Sequence, residues 1–235
     1  MAVFSIVDGR DPLLSVELSE GDSVIAESNA MVMMDGGVSV EGAMKGGFLS
    51  SLGRKMFSSE SFFQQVLSAN KGQDGHAMLA PQLPGDIKIL DVGEAQYFLN
   101  SGSFMASDNT VSTSQKVNSN ILGAFFGDIG GFVIMQTTGV GKLCVSGFGQ
   151  IIEVYIEPGK PVTIDNGHVV AWDKRLSYDV TTASSSKGIF GRLASTAMSG
   201  EFLVTKFTGE GSVFVCSRNQ LSFEKYVRSL VVVKK

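Results

Sequence analysis

The sequence predicts a mainly β chain: a pseudo-threefold barrel or prism built from three internal repeats, with short helical inserts. Three observations carry that expectation. Phe62, Phe132 and Phe202 stand 70 and 70 residues apart, each inside a strand-like run: Phe62-Phe63-Gln64-Gln65-Val66-Leu67-Ser68, Phe132-Val133-Ile134-Met135-Gln136-Thr137-Thr138 and Phe202-Leu203-Val204-Thr205-Lys206-Phe207-Thr208. A period this long is one supersecondary unit used several times, because a single copy could not bury its apolar face. A second set of anchors aligns on Asp35, Asp108 and Asp173, and three positions beyond each comes a further short run, Val38-Ser39-Val40, Val111-Ser112-Thr113 or Leu176-Ser177-Tyr178. Finally, the chain has 28 glycines against 5 prolines, a balance suited to short strands joined by tight turns.

The repeats run over about 13–80, 86–147 and 151–217 of a single domain, 1–235. Each opens on an apolar run: Val16-Glu17-Leu18, Ile87-Lys88-Ile89-Leu90 or Val154-Tyr155-Ile156. Turn chemistry follows at Ser28-Asn29, Ser101-Gly102 and Asn166-Gly167, and Asn-Gly is a strong hairpin signal because both positions tolerate positive φ. Next come the aspartate-anchored strand, the short run, an insert and the phenylalanine strand. Glycine turns at Gly72–Gly75, Gly139–Gly141 and Gly209–Gly211 then lead into a closing strand. These turns read as hairpins; they join two β runs and open no helix, so Gly-x-Gly here is not a phosphate cradle. The tail, 226–233, reads as a last strand pairing back to the body.

Composition narrows the function classes. A net charge of −4 and a pI near 5.2 argue against a nucleic-acid surface, and no nucleic-acid partner is expected. The 43% hydrophobic content fills a core without disulfide or metal. Cys144 and Cys216 lie in apolar runs and read as buried free thiols. Ile121–Val140 carries Asp128 as its one charge, yet its five glycines and its alignment with the other repeats argue against a membrane span. The first residues show no basic leader before an apolar core, so a cytoplasmic protein is expected.

The inserts are apolar where loops are normally polar. Phe48, Leu49, Leu52 and Phe57 mark the first, Leu122, Phe125 and Phe126 the second, and Ile189, Phe190 and Leu193 the third. Apolar spacing predicts short helical turns over 49–57 and 190–198. Two readings stand: the inserts plug the ends of the barrel, or they form a patch for self-association, a protein partner or a membrane surface, the last making the protein peripheral to a membrane. Self-association into a homo-oligomer leads the second group.

No catalytic, cofactor or metal site is expected. His76 and His168 have no ligand-spaced partners, and no Gly-x-Ser-x-Gly elbow supports a nucleophilic serine. Asp35, Asp108 and Asp173 read as strand-end turn formers that hydrogen-bond their own backbone. Trp172, the single tryptophan, is a contact residue if exposed and core if buried. His168, Trp172 and Asp173 together are a candidate ligand pocket.

Four segments carry a family resemblance: Ala30-Met31-Val32-Met33-Met34-Asp35, Gly46-Gly47-Phe48-Leu49, Leu79-Ala80-Pro81-Gln82-Leu83-Pro84-Gly85-Asp86-Ile87 and Gly167-His168-Val169-Val170-Ala171-Trp172-Asp173. They resemble the bacterial and archaeal relatives of altered-inheritance-of-mitochondria protein 24 over nearly the whole chain. The resemblance implies a fold similar to the tryptophan RNA-binding attenuation protein, a double-stranded β-helix. It implies no catalytic residue; fungal relatives are associated with mitochondrial inner-membrane organisation. The reading that follows is a non-enzymatic scaffold that self-associates through its inserts, with a small-molecule-binding β-helix domain or a membrane-surface organiser as alternatives.

Overall fold

A computed structural model describes residues 1–42, 64–116, 134–182 and 203–230. The chain opens with β1 (Val3–Val7), β2 (Leu13–Leu18), β3 (Ser23–Glu27), β4 (Met31–Met34), β5 (Val38–Gly42), β6 (Gln64–Ala69) and β7 (Gly75–Leu79). It continues through β8 (Gly85–Val92), β9 (Tyr97–Asn100), β10 (Phe104–Asp108), β11 (Val111–Lys116), β12 (Ile134–Gly139) and β13 (Gly141–Phe148). The last strands are β14 (Ile151–Ile156), β15 (Val162–Asp165), β16 (Val169–Asp173), β17 (Ser177–Thr182), β18 (Leu203–Thr208) and β19 (Gly211–Cys216), followed by helix α1 (Gln220–Leu230).

Mainly β is thus what forms, in four sheets of antiparallel strands ordered β1-β2-β7-β4, β5-β6-β3-β10-β13-β8, β11-β12-β9-β16-β19-β14 and β15-β18-β17. Among the described residues none of them closes on itself, so the expected barrel or prism is replaced by open sheets. Each successive pair of sheets shares an apolar layer. Leu14, Val16 and Leu18 meet Val24, Leu67, Met105 and Cys144 in the first layer. Leu90, Phe104 and Leu143 meet Leu99, Met135 and Phe214 in the second, and Phe98, Trp172 and Val213 meet Phe207 and Leu176 in the third.

The glycine turns do not close hairpins. β12 pairs with β9 and β11, whereas β13, across Gly139–Gly141, pairs with β8 and β10 in a different sheet. Gly209–Gly211 likewise carries the chain from β18 to β19 in another sheet, with φ of 111° and 153° against 100° and 149° at Gly139 and Gly141. Positive φ lets the backbone reverse within one residue. Here the reversal sets the flanking strands face to face across a core layer, so they meet through side chains and not through a hydrogen-bonded ladder. Asn166-Gly167 is also a crossing: it forms a 3₁₀ turn between β15 and β16, with the Asp165 carboxylate accepting from the Gly167 N–H at 2.8 Å.

Hairpins form instead at β1–β2 and where the inserts interrupt the chain, at β5–β6, β11–β12 and β17–β18. Asp35 and Asp173 form turns with their own backbone, whereas Asp108 instead accepts from β13, far along the chain. Asp35 Oδ1 accepts from Gly37 N–H at 2.9 Å, Asp173 Oδ1 from Arg175 N–H at 2.8 Å, and Asp108 Oδ2 from Lys142 N–H at 2.7 Å.

The tail corrects the sequence reading: 220–230 is helical, and no strand spans 226–230. Phe223, Tyr226, Val227 and Leu230 recur at i, i+3, i+4 and i+7, a helical period that the valine-rich run after them obscures. Asn219 caps the helix, its side-chain oxygen accepting from Ser222 N–H at 3.0 Å.

Candidate functional site

The ten apolar insert residues, the predicted helical turns and the three anchor phenylalanines all lie outside the described residues. Their roots, however, are fixed by strand register. The first insert leaves β5 at Gly42 and returns at β6, where Gln64 faces Glu27, the last residue of β3. The second leaves β11 at Lys116 and returns at Ile134, which faces Asn100, the last residue of β9. The third leaves β17 at Thr182 and returns beside Val204, which faces Asp165, the last residue of β15.

These three strand ends lie at one end of the molecule. Ala26 faces Ala106 near the start of β10, which follows β9 through the 3₁₀ turn Ser101–Ser103. Leu99 faces Ala171 near the start of β16, which follows β15 through Asn166–His168. The roots of all three inserts therefore share one end, and the glycine turns occupy the other.

Helix α1 starts at the insert-bearing end, where the Phe223 ring packs edge-on against Phe148 at 5.1 Å. Phe223, Tyr226, Val227 and Leu230 are 41–62% exposed, so its apolar stripe faces outward. Glu27, half-buried at the same end, accepts from the Gln82 side-chain amide at 2.9 Å. Burial pushes its carboxyl up to about 7, well above its ordinary value, because the charged form loses water there.

His168 edges a cavity that neither Trp172 nor Asp173 lines. The His168 ring Nδ1 lies 2.7 Å from the Cys216 carbonyl, and the ring edges an apolar cavity of about 310 Å³ lined by Val154, Val162, Ile164 and Val215. Trp172 is fully buried in the third core layer, with Tyr178, Phe98 and Phe207 rings at 5.3, 5.6 and 5.8 Å. Asp173 is buried at its strand end and paired with Arg175 at 2.5 Å, which holds the Arg175 guanidinium above its ordinary pKa through that hydrogen bond.

The second histidine sits at the glycine-turn end. Its Nε2 is 2.8 Å from Ser15 Oγ, and Glu17, Asp35 and Asp74 line the adjoining cleft of about 380 Å³. The Asp35 carboxylate accepts from the His76 backbone N–H, at 3.1 Å, and so does not orient the ring as a catalytic aspartate would. Among the described residues, no three His, Cys, Asp or Glu side chains gather as a metal site. Both cysteines are buried free thiols, as expected. Burial is the main cause pushing both thiols up, Cys144 the further, which disfavours the reactive thiolate.

Sequence reasoning missed two surfaces. One is the outward stripe of α1, legible in the i, i+3, i+4, i+7 spacing. The other is β4, where Met31, Val32, Met33 and Met34 are 38–53% exposed. Nothing in its composition distinguishes that run from β10 or β16, whose residues are buried throughout.

Comparison with known proteins places this architecture among relatives. The family described as mitochondrial biogenesis AIM24 matches residues 4–218. An uncharacterised protein of Streptococcus pyogenes (serotype M6) is 34% identical over 218 residues, covering 90% of this chain and 84% of its own length. A crystal structure of a Streptococcus pyogenes protein superposes with a TM-score of 0.78 at 31% identity, over 98% of this chain and 100% of that one.

Proposed function

The chain belongs to the mitochondrial biogenesis AIM24 family, and we propose that it is a non-enzymatic scaffold that self-associates through apolar inserts rooted at one end. The observation that carries this reading is the common placement of the three insert roots, at Gly42/Gln64, Lys116/Ile134 and Thr182/Leu203. Apolar segments rooted together at one end would offer several contacts at once, which supports association through them.

The scaffold itself we read as one six-stranded unit used three times. The pairings support it: β2, β8 and β14 each pair with the last strand of their segment, β7, β13 and β19, which also take β4, β10 and β16. In the same way β6, β12 and β18 lie between β3 and β5, β9 and β11, and β15 and β17.

Sedimentation of the full chain against the triple variant F48S/F125S/F190S tests the insert reading. The variant is expected to form a smaller assembly than the wild type with an unchanged circular-dichroism spectrum. Equal assembly size in a folded variant would falsify the role of the inserts.

A membrane-surface organiser is the second reading, favoured by the outward apolar stripe of α1, which has Lys225 and Arg228 beside it. No helix among the described residues is long and apolar enough to cross a membrane, so contact through α1 would be peripheral.

A further inference from the structure

Among the described residues, two complementary sheet edges lack a partner that their counterparts elsewhere in the chain possess. β3 pairs with β10, with Ala26 opposite Ala106, Ile25 opposite Ser107 and Val24 opposite Asp108. β9 pairs with β16 by the same rule: Leu99 opposite Ala171, Phe98 opposite Trp172 and Tyr97 opposite Asp173. The receiving strands share a local signature, a bulge between Phe104 and Ala106 in β10 and between Val169 and Ala171 in β16. β4 carries that bulge too, between Met31 and Met33, and runs into Asp35 as the others run into Asp108 and Asp173. Yet β4 is the last strand of its sheet.

The complementary edge is β15. Asp165 faces Val204 as Glu27 faces Gln64 and Asn100 faces Ile134, so Ile164 stands where Ala26 and Leu99 stand. β15 is likewise last in its sheet. Side-chain exposure follows the missing partner. Every residue of β10 and β16 is buried, whereas Met31, Val32, Met33 and Met34 are 38–53% exposed. An open edge ordinarily carries a charge or a proline to discourage pairing, and β4 has neither.

We propose that β15 of one copy of this chain pairs antiparallel with β4 of a second copy, with Ile164 opposite Met33, Thr163 opposite Met34 and Val162 opposite Asp35. The apolar cavity beside β15, lined by Val154, Val162, Ile164 and Val215, then receives Val32, Met33 and Met78 of the second copy. Within the chain the corresponding side chains, Met105, Ala106 and Cys144, already fill the first core layer against Val16, Val24 and Ala26. The seam joins two different patches, so it is head-to-tail and extends until the copies close a ring or run on as a filament. Because it keeps the register of the internal seams, the insert-bearing ends of all copies lie on one side. The seam goes beyond the insert-mediated reading and stands without it.

The full chain carrying Met33→Cys and Ile164→Cys tests the pairing under mild oxidation. The expected result is a ladder on a non-reducing gel and a peptide joining positions 33 and 164 of different chains. The two positions lie in the first and last sheets, and the native thiols are buried, so neither an internal bridge nor a native cysteine imitates that product. The bridge should persist when F48S/F125S/F190S is added, which separates the seam from the inserts. Val32→Lys with Met33→Lys, both at exposed positions, should remove the seam-linked multimer from sedimentation profiles while leaving the Trp172 fluorescence native. Absence of the 33–164 bridge, 33–33 bridges in its place, or a seam-linked multimer that survives the lysines would overturn the proposal.

Discussion

At the scale of single residues, burial sets the chemistry. Glu27 ends β3 beside the first insert root, and its carboxyl is raised to about 7 by loss of water. The unfolded chain ionises near the ordinary 4.5, so between about 4.5 and 7 the unfolded state sheds a proton that the folded state keeps. Stability from this group is therefore fully present below 4.5 and lost as pH rises through 7. Glu27→Gln should stabilise the protein at pH 8 by on the order of 1 kcal/mol, allowing for partial solvation, and have little effect at pH 4. Thermal melts at the two values measure the difference, and an equal shift at both would remove the assignment. The turns made by Asp35 and Asp173 were legible in sequence, since a short carboxylate after an apolar strand has backbone donors two residues on, whereas the Asp108 bond to Lys142 depends on which strand lies beside it. Trp172 was not, because whether an aromatic side chain in an apolar run is core or contact depends on the sheet stacked over it.

Among the elements, the turns separate local from global information. Gly139 has φ of 100°, and a Cβ built there would run into the carbonyl oxygen of Thr110. Gly139→Ala should therefore cost roughly 1–3 kcal/mol, read as a lowered denaturation midpoint, whereas Gly36→Ala, where the added Cβ meets nothing, should cost far less. Glycine signalled that the chain turns at 139–141; it did not signal that the two strands leave in different sheets. Hairpin and crossing use the same backbone freedom, and the choice falls to which ladder each strand joins. The last element illustrates a competing local signal. The valines after Leu230 suggested a strand, while the helical spacing from Phe223 to Leu230 and the Asn219 cap produced α1.

Across the whole molecule, the two six-stranded sheets tie distant stretches of the chain together, since β3–β10 and β9–β16 join strands far apart in sequence. Cooperative unfolding follows from that sharing. Phe104→Ala, a truncation in the second core layer, should cost about 3–5 kcal/mol and shift the Trp172 fluorescence midpoint, in the third layer, together with the circular-dichroism midpoint. Separate transitions would mean that the segments unfold independently.

The sequence by itself determined the mainly β content, the buried thiols and the family, because alternation and motif are written residue by residue. It also located the apolar inserts. Tertiary structure decided that the sheets stay open among the described residues, that the insert roots share one end, and that Trp172 is core while His168 edges a cavity. Those outcomes depend on strand pairing between residues far apart in the chain. Each strand can satisfy its backbone hydrogen bonds equally well with several partners, and only the packing of all the faces together selects one. Among the described residues the same physics leaves β4 and β15 as sheet edges, which is invisible until the β3–β10 and β9–β16 seams are seen.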